Sequence, residues 1–274
     1  MKSPRSLPIG VFDSGIGGLT VVRQMRRVLP VENLIYLGDT ARVPYGTKSP
    51  ETVVRFACED ASFLVGQGVK AIVVACNTAS AWALPALQER FSVPVFGVIL
   101  PGARQALAKT RNHRIGVIGT NATVRSRAYV RAILDQNPNA RVFARACPLL
   151  VPLVEEGWLN RPVTISILRT YLEPLLARGV DTLVLGCTHY PLLKRAIRQV
   201  AGPGIALVDS AESCALAVRD ELAKLSLLAP ARSRPGWLKP FVTAETTRFE
   251  ALAARFLGSS TEPARKAELS PAIR

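Results

Sequence analysis

The chain has little of what several protein classes require. Only 2 of its 274 residues are histidine and 5 are cysteine, and the cysteines are widely spaced with no CxxC pair. This spacing argues against a disulfide framework and against a zinc site, and it favours a reducing compartment. The longest apolar runs are far shorter than the roughly 20 residues that span a bilayer, and the basic N-terminus lacks the apolar stretch of a signal peptide. We therefore expect a cytoplasmic protein that binds no metal and no membrane.

Positive charge is in excess. The chain has 35 Lys and Arg against 20 Asp and Glu, a net charge of +15, and the densest basic block is 104–145. Such charge can indicate a nucleic-acid partner. Here, however, the basic residues are scattered at helical intervals among apolar ones, and no helix-turn-helix, zinc-finger or RNA-binding signature accompanies them. We interpret them as a solvated basic face and do not expect nucleic-acid binding.

Short apolar strands alternate with amphipathic helices along the chain. With 49% apolar residues the composition is that of a globular protein, and this alternation is typical of parallel sheets covered by helices on both faces. The series starts again near 98–101. We therefore predict an α/β fold with two similar, doubly wound lobes and an active site in the cleft between them. The predicted first lobe is 1–98 plus 210–274, ending in a proline-rich loop from about residue 227 and a C-terminal helix, and the second lobe is 99–209.

One pattern occurs twice, once in each predicted lobe. VVACNTASA at 73–81 and LVLGCTHYP at 183–191 are apolar strands that end at a cysteine, followed by threonine or asparagine and the start of a helix. A helix N-terminus carries partial positive charge and free N–H groups, so it is expected to lower the pKa of a thiol placed there. Cys76 and Cys187 are therefore candidate acid/base or nucleophilic groups that face each other across the cleft. The other three cysteines are expected to be small buried hydrophobic residues.

Three further segments carry polar residues at strand ends or in loops. VFDSGIGGLTV at 11–21 places Asp13 and Ser14 before glycines that allow a ligand to approach the backbone. Its GxGG spacing matches neither the dinucleotide fingerprint nor the phosphate-binding loop. By itself the PYGT segment at 44–47 is typical of a loop, and Glu155 and Glu156 are typical of the surface of a helix.

Seven blocks, in order and in register, resemble the aspartate/glutamate racemase family. They are VFDSGIGGLTV, GDTARVPYGTKS, VVACNTASA, GVILPGA, GVIGTNATVRSRAY, CPLLVPLVEEG and LGCTHYPLL. The resemblance extends from about residue 7 to residue 258, and PYG after GDTA and CTHYP after LG resemble the glutamate branch. The high arginine content is not part of the family pattern.

The resemblance implies cofactor-independent interconversion of L- and D-glutamate, which supplies D-glutamate for peptidoglycan, by a homodimer. It implies that Cys76 and Cys187 act on opposite faces of the substrate α-carbon, and that Asp13 assists Cys76. It also implies that His189 assists Cys187 and that Glu155 lies near this second thiol. The substrate-binding positions that it implies are Asp13, Ser14, Tyr45, Gly46, Asn77, Thr78, Thr123, Thr188 and His189.

The chemistry gives a reason for two thiols. Inversion removes a weakly acidic proton from one face of the α-carbon and delivers another to the opposite face, which requires one thiolate and one thiol. A thiol-disulfide enzyme or a cysteine hydrolase would use only one of them, with a resolving cysteine or an oriented base. A nucleic-acid-binding module would explain the charge but none of the seven blocks. Within the family, an aspartate racemase or another amino-acid racemase is the alternative.

Overall fold

Two separate sheets carry the fold of residues 3–270, the part of the chain that the computed structural model describes. The first sheet contains β1 (Ile9–Asp13), β2 (Leu34–Gly38), β3 (Ala71–Val74), β4 (Val95–Gly97), β9 (Leu238–Val242) and β10 (Arg265–Lys266). The second sheet contains β5 (Arg114–Gly119), β6 (Arg141–Ala146), β7 (Thr182–Gly186) and β8 (Ala206–Asp209). All strand pairs of these two sheets are parallel, which confirms the predicted α/β class.

The same strand order occurs in both sheets. The first sheet runs β10-β9-β2-β1-β3-β4 and the second runs β6-β5-β7-β8. The order β2-β1-β3-β4 therefore repeats as β6-β5-β7-β8. Because of this repeat, the carboxyl ends of β3 and β7 occupy equivalent positions, as do those of β1 and β5.

Helices connect the strands and cover the sheets. The second helix begins where the sequence predicts: Ser49 is its N-cap, the backbone N–H of Thr52 donates to the Ser49 hydroxyl at 3.3 Å, and Pro50 lies in the first turn. The helices are α1 (Leu19–Val28), α2 (Pro50–Gly66), α3 (Asn77–Arg90), α4 (Ile99–Lys109), α5 (Asn121–Ser126), α6 (Ala128–Leu134), α7 (Leu150–Glu155), α8 (Pro162–Leu176), α9 (Lys194–Ala201), α10 (Ser210–Lys224) and α11 (Thr246–Leu257). None of the helices in the described residues combines the length and apolarity that a membrane crossing requires.

The chain passes from one sheet to the other between β4 and α4, and it returns after β8. Strands from 9–97 and 238–266 build the first sheet, and strands from 114–209 build the second. α10 follows β8 and packs against both α1 and α4. We therefore keep 1–98 plus 210–274 and 99–209 as the proposed extents of the two lobes, with 1–2 and 271–274 outside the described residues.

The C-terminal segment differs from its prediction in one element. The sequence predicts a loop from about residue 227, but Leu238–Val242 forms β9, which pairs with β2 and with β10. Pro240 lies in the middle of this strand, opposite Tyr36, and proline inside a run normally argues against a strand. The predicted C-terminal helix is present as α11. Its Phe249 stacks on Tyr36 of β2 with ring centroids 6.0 Å apart, so α11 packs against the first sheet.

Candidate active site

The carboxyl ends of the strands meet at one small cavity. Cys76 is the N-cap of α3, just after β3, and Cys187 directly follows β7. Both side chains are nearly buried, with 5% and 6% of their surface exposed. Both line a cavity of about 160 Å³. The repeated strand–cysteine–helix pattern therefore brings two thiols to one cleft, where open α/β sheets bind their ligands.

Cys76 is held by the start of its own helix and by the turn after β1. Its Sγ accepts the backbone N–H of Ala79 at 3.4 Å, and its thiol donates to the Ser14 hydroxyl at 3.5 Å. Burial raises the pKa of Cys76 to about 12, and the nearby Asp13 charge acts in the same direction, while the Ala79 N–H opposes both. The helix start therefore offsets only part of the desolvation cost.

Cys187 has a similar electrostatic environment. Burial raises its pKa well above the usual range for a thiol, the backbone N–H of His189 opposes this, and the charges of Cys76 and Asp13 raise it further. The hydroxyl of Thr188 also lowers the pKa. The prediction that a helix N-terminus lowers the thiol pKa is therefore wrong for the net shift at both cysteines, because desolvation is the largest contribution.

Asp13 lies beside this cavity at the end of β1. Its Oδ2 accepts the backbone N–H of Gly15 at 3.1 Å, whereas its Oδ1 is buried with no partner among the described residues. Burial raises the pKa of Asp13, and the nearby His189 lowers it. An unpaired, buried carboxylate oxygen with a raised pKa is a good proton acceptor.

His189 and Glu155 form a pair on the Cys187 side. The Nε2 atom of His189 lies 3.2 Å from Oε1 of Glu155, and the imidazole packs edge-on against Phe256. The hydrogen bond from His189 lowers the pKa of Glu155, which is therefore ionised at neutral pH. Glu155 lines the cavity at the end of α7, whereas Glu156 is exposed. The interpretation as a surface acid thus fits Glu156 but not Glu155.

Most of the predicted substrate-binding positions line the cavity, but two do not. Asp13 lies behind it, and Thr123 hydrogen-bonds the hydroxyls of Thr78 and Thr120 at 3.1 and 3.0 Å. Thr123 therefore orients Thr78, which does line the cavity. The predicted positions that line it are Ser14, Tyr45, Gly46, Asn77, Thr78, Thr188 and His189.

Two of these lining residues direct their side-chain polar atoms elsewhere. The Tyr45 hydroxyl lies 2.5 Å from Oδ2 of Asp39 and 2.9 Å from Oδ2 of Asp60. The Asn77 Oδ1 accepts the Tyr129 hydroxyl at 2.7 Å. We therefore expect Tyr45 and Asn77 to offer a ligand their backbone N–H groups rather than their side-chain polar atoms.

Part of the lining consists of residues that the sequence did not predict. Thr120 and Asn121 follow β5, at the position equivalent to the end of β1, so the internal repeat was a signal that could have identified them. Pro148, Val151 and Pro152 form an apolar wall, for which the sequence offered no signal. A small cavity lined by two nearly buried thiols, several hydroxyls and an apolar wall suits acid/base chemistry on a small polar molecule.

Comparisons with known proteins agree with this class of site. The profile of the Asp/Glu/Hydantoin racemase family matches residues 9–218. A glutamate racemase from Geobacter metallireducens is 57% identical over 91% of this chain and 92% of its own length. The crystal structure of a glutamate racemase from Bacillus anthracis has a TM-score of 0.91 at 39% identity, covering 98% of this chain and 100% of that one. A Thermus thermophilus glutamate racemase, in complex with β-chloro-D-alanine, has a TM-score of 0.88 at 51% identity over 98% of this chain and 99% of that one.

The chain therefore belongs to the Asp/Glu/Hydantoin racemase family, on its glutamate racemase branch. This confirms the resemblance found in the seven sequence blocks. It also places the chain among the isomerases.

Proposed function

We propose that this protein interconverts L-glutamate and D-glutamate, with Cys76 and Cys187 as the two acid/base groups. The observation that carries this proposal is the pair of thiols at equivalent strand ends of two sheets, lining one cavity. Glutamate is proposed as the substrate because a relative that is 57% identical over 92% of its own length is a glutamate racemase. Aspartate is the alternative substrate.

The reaction needs one thiolate and one thiol at a time. The thiolate takes the α-proton, so the C–H bond breaks, an S–H bond forms, and the electron pair stays on the α-carbon and its carboxylate. The opposite thiol then gives its proton to the other face, so a new C–H bond forms and a thiolate remains. The two sulfurs have exchanged protonation states, and no other reactant is consumed.

Burial keeps both thiols protonated, so the thiolate must be generated when substrate binds. The substrate ammonium group brings positive charge next to the thiols, which favours their ionised form. We propose that the unpaired Oδ1 of Asp13 accepts the proton of Cys76. On the other face we propose that His189, held by Glu155, accepts the proton of Cys187.

Binding relies on hydroxyls and backbone N–H groups. We propose that the Ser14 hydroxyl and the backbone N–H groups of Tyr45 and Gly46 hold the side-chain carboxylate. Thr78, Thr188 and the first N–H groups of α3, from Asn77 on, hold the α-carboxylate and the amine. These fixed dipoles would stabilise the carbanion without pyridoxal or a metal, because they act in a site from which water is excluded.

The cellular setting is part of the same proposal. We propose a cytoplasmic homodimer that supplies D-glutamate for peptidoglycan and binds no nucleic acid, since family membership supports the activity and the basic residues carry no recognition motif.

The test is racemisation of L-glutamate by the purified protein with no cofactor added, followed by optical rotation. Cys76→Ser and Cys187→Ser should each lose activity by a factor of about 10² to 10⁴, the usual contribution of a positioned acid or base. Cys58→Ser is the matched control, because Cys58 is buried but does not line the cavity. Retention of more than a tenth of the activity by either active-site variant would refute the two-base assignment.

A further inference from the structure

Thr20 connects the first sheet to the peptide that follows Cys187. It lies in the first turn of α1, is 4% exposed, and does not line the cavity. Its Oγ1 atom donates to the carbonyl oxygen of Thr188 at 2.9 Å, across 168 residues of chain. This hydrogen bond therefore joins α1 to the segment after β7 and ends at the residue next to the second thiol.

The Thr188 carbonyl depends on this donor. The Thr20 hydroxyl also lies 2.9 Å from the Gly17 carbonyl, but that oxygen already accepts the backbone N–H of Thr20 at 3.0 Å. In the turn after Cys187, the backbone N–H of residue i+3 donates to the carbonyl of residue i. Tyr190 donates to Cys187 in this way, and Leu192 donates to His189. The equivalent donor to Thr188 would be Pro191, which has no N–H. The single hydroxyl proton of Thr20 is thus needed at Thr188.

This carbonyl and the N–H of His189 belong to one planar peptide unit. Burial raises the pKa of Cys187, and the His189 N–H is the largest contribution that lowers it. A hydrogen bond accepted by the carbonyl polarises the peptide and strengthens its N–H as a donor. It also fixes the rotation of the peptide plane, and with it the direction of the N–H.

We propose that Thr20 is a positioning residue for Cys187: its hydroxyl holds the Thr188–His189 peptide so that the His189 N–H stabilises the Cys187 thiolate. The proposal rests on the proposed role of Cys187 as an acid/base group. Cys76 needs no such support, because its N–H donor, Ala79, belongs to α3 itself.

The close approach of α1 supports this role. A Cβ atom on Gly17 would lie 2.2 Å from Oγ1 of Thr188 and 2.5 Å from Nδ1 of His189. Only glycine therefore lets the turn before Thr20 come so near the Thr188–His189 peptide. Substitution of Thr20 leaves in place the titratable groups that face this thiol, which are Asp13 on β1, Cys76 before α3, Tyr129 on α6, and His189 and Tyr190 beyond β7.

The experiment measures iodoacetamide alkylation of Cys187 and Cys76 separately, by peptide mass spectrometry, from pH 6 to pH 10. Thr20→Val removes the hydroxyl but keeps the shape, and Thr20→Ser keeps the hydroxyl. Thr164→Val is the matched control, since Thr164 is a buried threonine of α8 whose hydroxyl donates to the Trp158 carbonyl at 2.5 Å. In Thr20→Val we expect Cys187 to react about tenfold more slowly at neutral pH, equal to one unit of pKa. Cys76 should be unchanged, and kcat should fall more than KM changes.

A second pair of variants tests the role of Thr20 without relying on the single variant Thr20→Val. Pro191→Ala gives residue 191 an N–H that can donate to the Thr188 carbonyl. Iodoacetamide should therefore alkylate Cys187 equally fast in the double variant Thr20→Val/Pro191→Ala and in Pro191→Ala alone. This comparison also applies if Thr20→Val does not fold. Equal slowing of both cysteines, the same slowing in Thr164→Val, or no rescue would overturn the proposal.

The two proposals fail in different ways. Racemisation by Cys187→Ser would refute the proposed function, whereas the alkylation rates of Cys187 would still show whether Thr20 supports this thiol.

Discussion

Cys76 and Cys187 lose almost all contact with water, and this loss determines how they titrate. An isolated charge in such a place is penalised, so the neutral thiol is favoured up to an unusually high pH. The N–H of Ala79 in α3 and the N–H of His189 in the turn after β7 reduce this penalty without reversing it. Without substrate, both thiols therefore stay protonated. The positive charge that favours ionisation of one of them must come with the substrate.

The pH dependence of alkylation follows from this argument. A thiol reacts as thiolate, whose fraction rises about tenfold per pH unit below the pKa. With a pKa of about 12 for Cys76, its alkylation rate in the free enzyme should still be rising at pH 9.5. Free glutathione, measured in parallel, should reach its plateau near its own lower pKa. A plateau for Cys76 near pH 8 would show that the helix N-terminus outweighs burial.

Glu155 provides a second prediction at this scale. Glu155→Gln keeps an oxygen for His189 but removes the charge that stabilises its imidazolium, so proton transfer at Cys187 should slow. Because L- and D-glutamate are equally stable, kcat/KM must fall equally in both directions. The primary isotope effect of α-deuterated glutamate should therefore rise for only one enantiomer, the one whose proton faces Cys187.

The matched control for that variant is the neighbouring residue. Glu156→Gln removes the same charge from an exposed side chain, so its isotope effects should equal those of the wild type. An isotope effect that rises for both enantiomers of Glu155→Gln would indicate a general disturbance of the site instead.

Among the structural elements, the segment from residue 43 to residue 47 is fixed by a buried network of charged and polar side chains. Arg42 lies 2.6 Å from Oδ2 of Asp39 and 3.0 Å from Oδ1 of Asp60. The Tyr45 hydroxyl contacts both carboxylates but has only one proton to donate. Burial and the Asp39 charge raise the pKa of Asp60. A protonated Asp60 can therefore donate the second proton that these two contacts require. This network fixes the position of Tyr45, which lines the cavity together with Gly46.

Loss of this support should weaken substrate binding more than chemistry. Tyr45→Phe leaves two buried carboxyl groups without the phenol, which costs about 1–3 kcal/mol of unfolding free energy. We expect a lower urea midpoint and a higher KM for glutamate, with kcat less affected. Tyr171→Phe, in α8, is the control, because the Tyr171 hydroxyl accepts the backbone N–H of the exposed Leu149 at 3.4 Å and does not line the cavity. A lower kcat at unchanged KM would contradict this role of the loop.

The elements also show what the sequence can predict. The alternating strands and the repeated strand–cysteine–helix pattern are local signals, so they predicted the α/β class and the position of both thiols. β9 was not predicted, because Pro240 interrupts its strand pattern. Its pairing with β2 makes this segment a strand. The side-chain directions of Tyr45 and Glu155 were also beyond the sequence, since each depends on partners from other elements, such as Asp60 and His189.

At the scale of the whole molecule, the two sheets meet closely around the cavity. Gly46, between β2 and α2, lies so near Thr120 that a Cβ atom there would be 2.8 Å from the Cβ of Thr120. The hydroxyls of Thr78 and Thr120 also join the two sides at 3.0 Å. A substrate bound among these groups contacts both sheets at once, so binding energy contributes to holding them together.

Glutamate should therefore stabilise the whole molecule against heat. A ligand at 100 times its Kd adds about 2.7 kcal/mol to the unfolding free energy. For a chain of this size that amounts to a Tm increase of roughly 5–10 °C by calorimetry. Aspartate is one methylene shorter, so we expect it to leave donors near Ser14 or near Thr188 unpaired. At equal concentration it should give a clearly smaller shift, and an equal or larger shift with aspartate would move the specificity of this protein to the aspartate branch of the family.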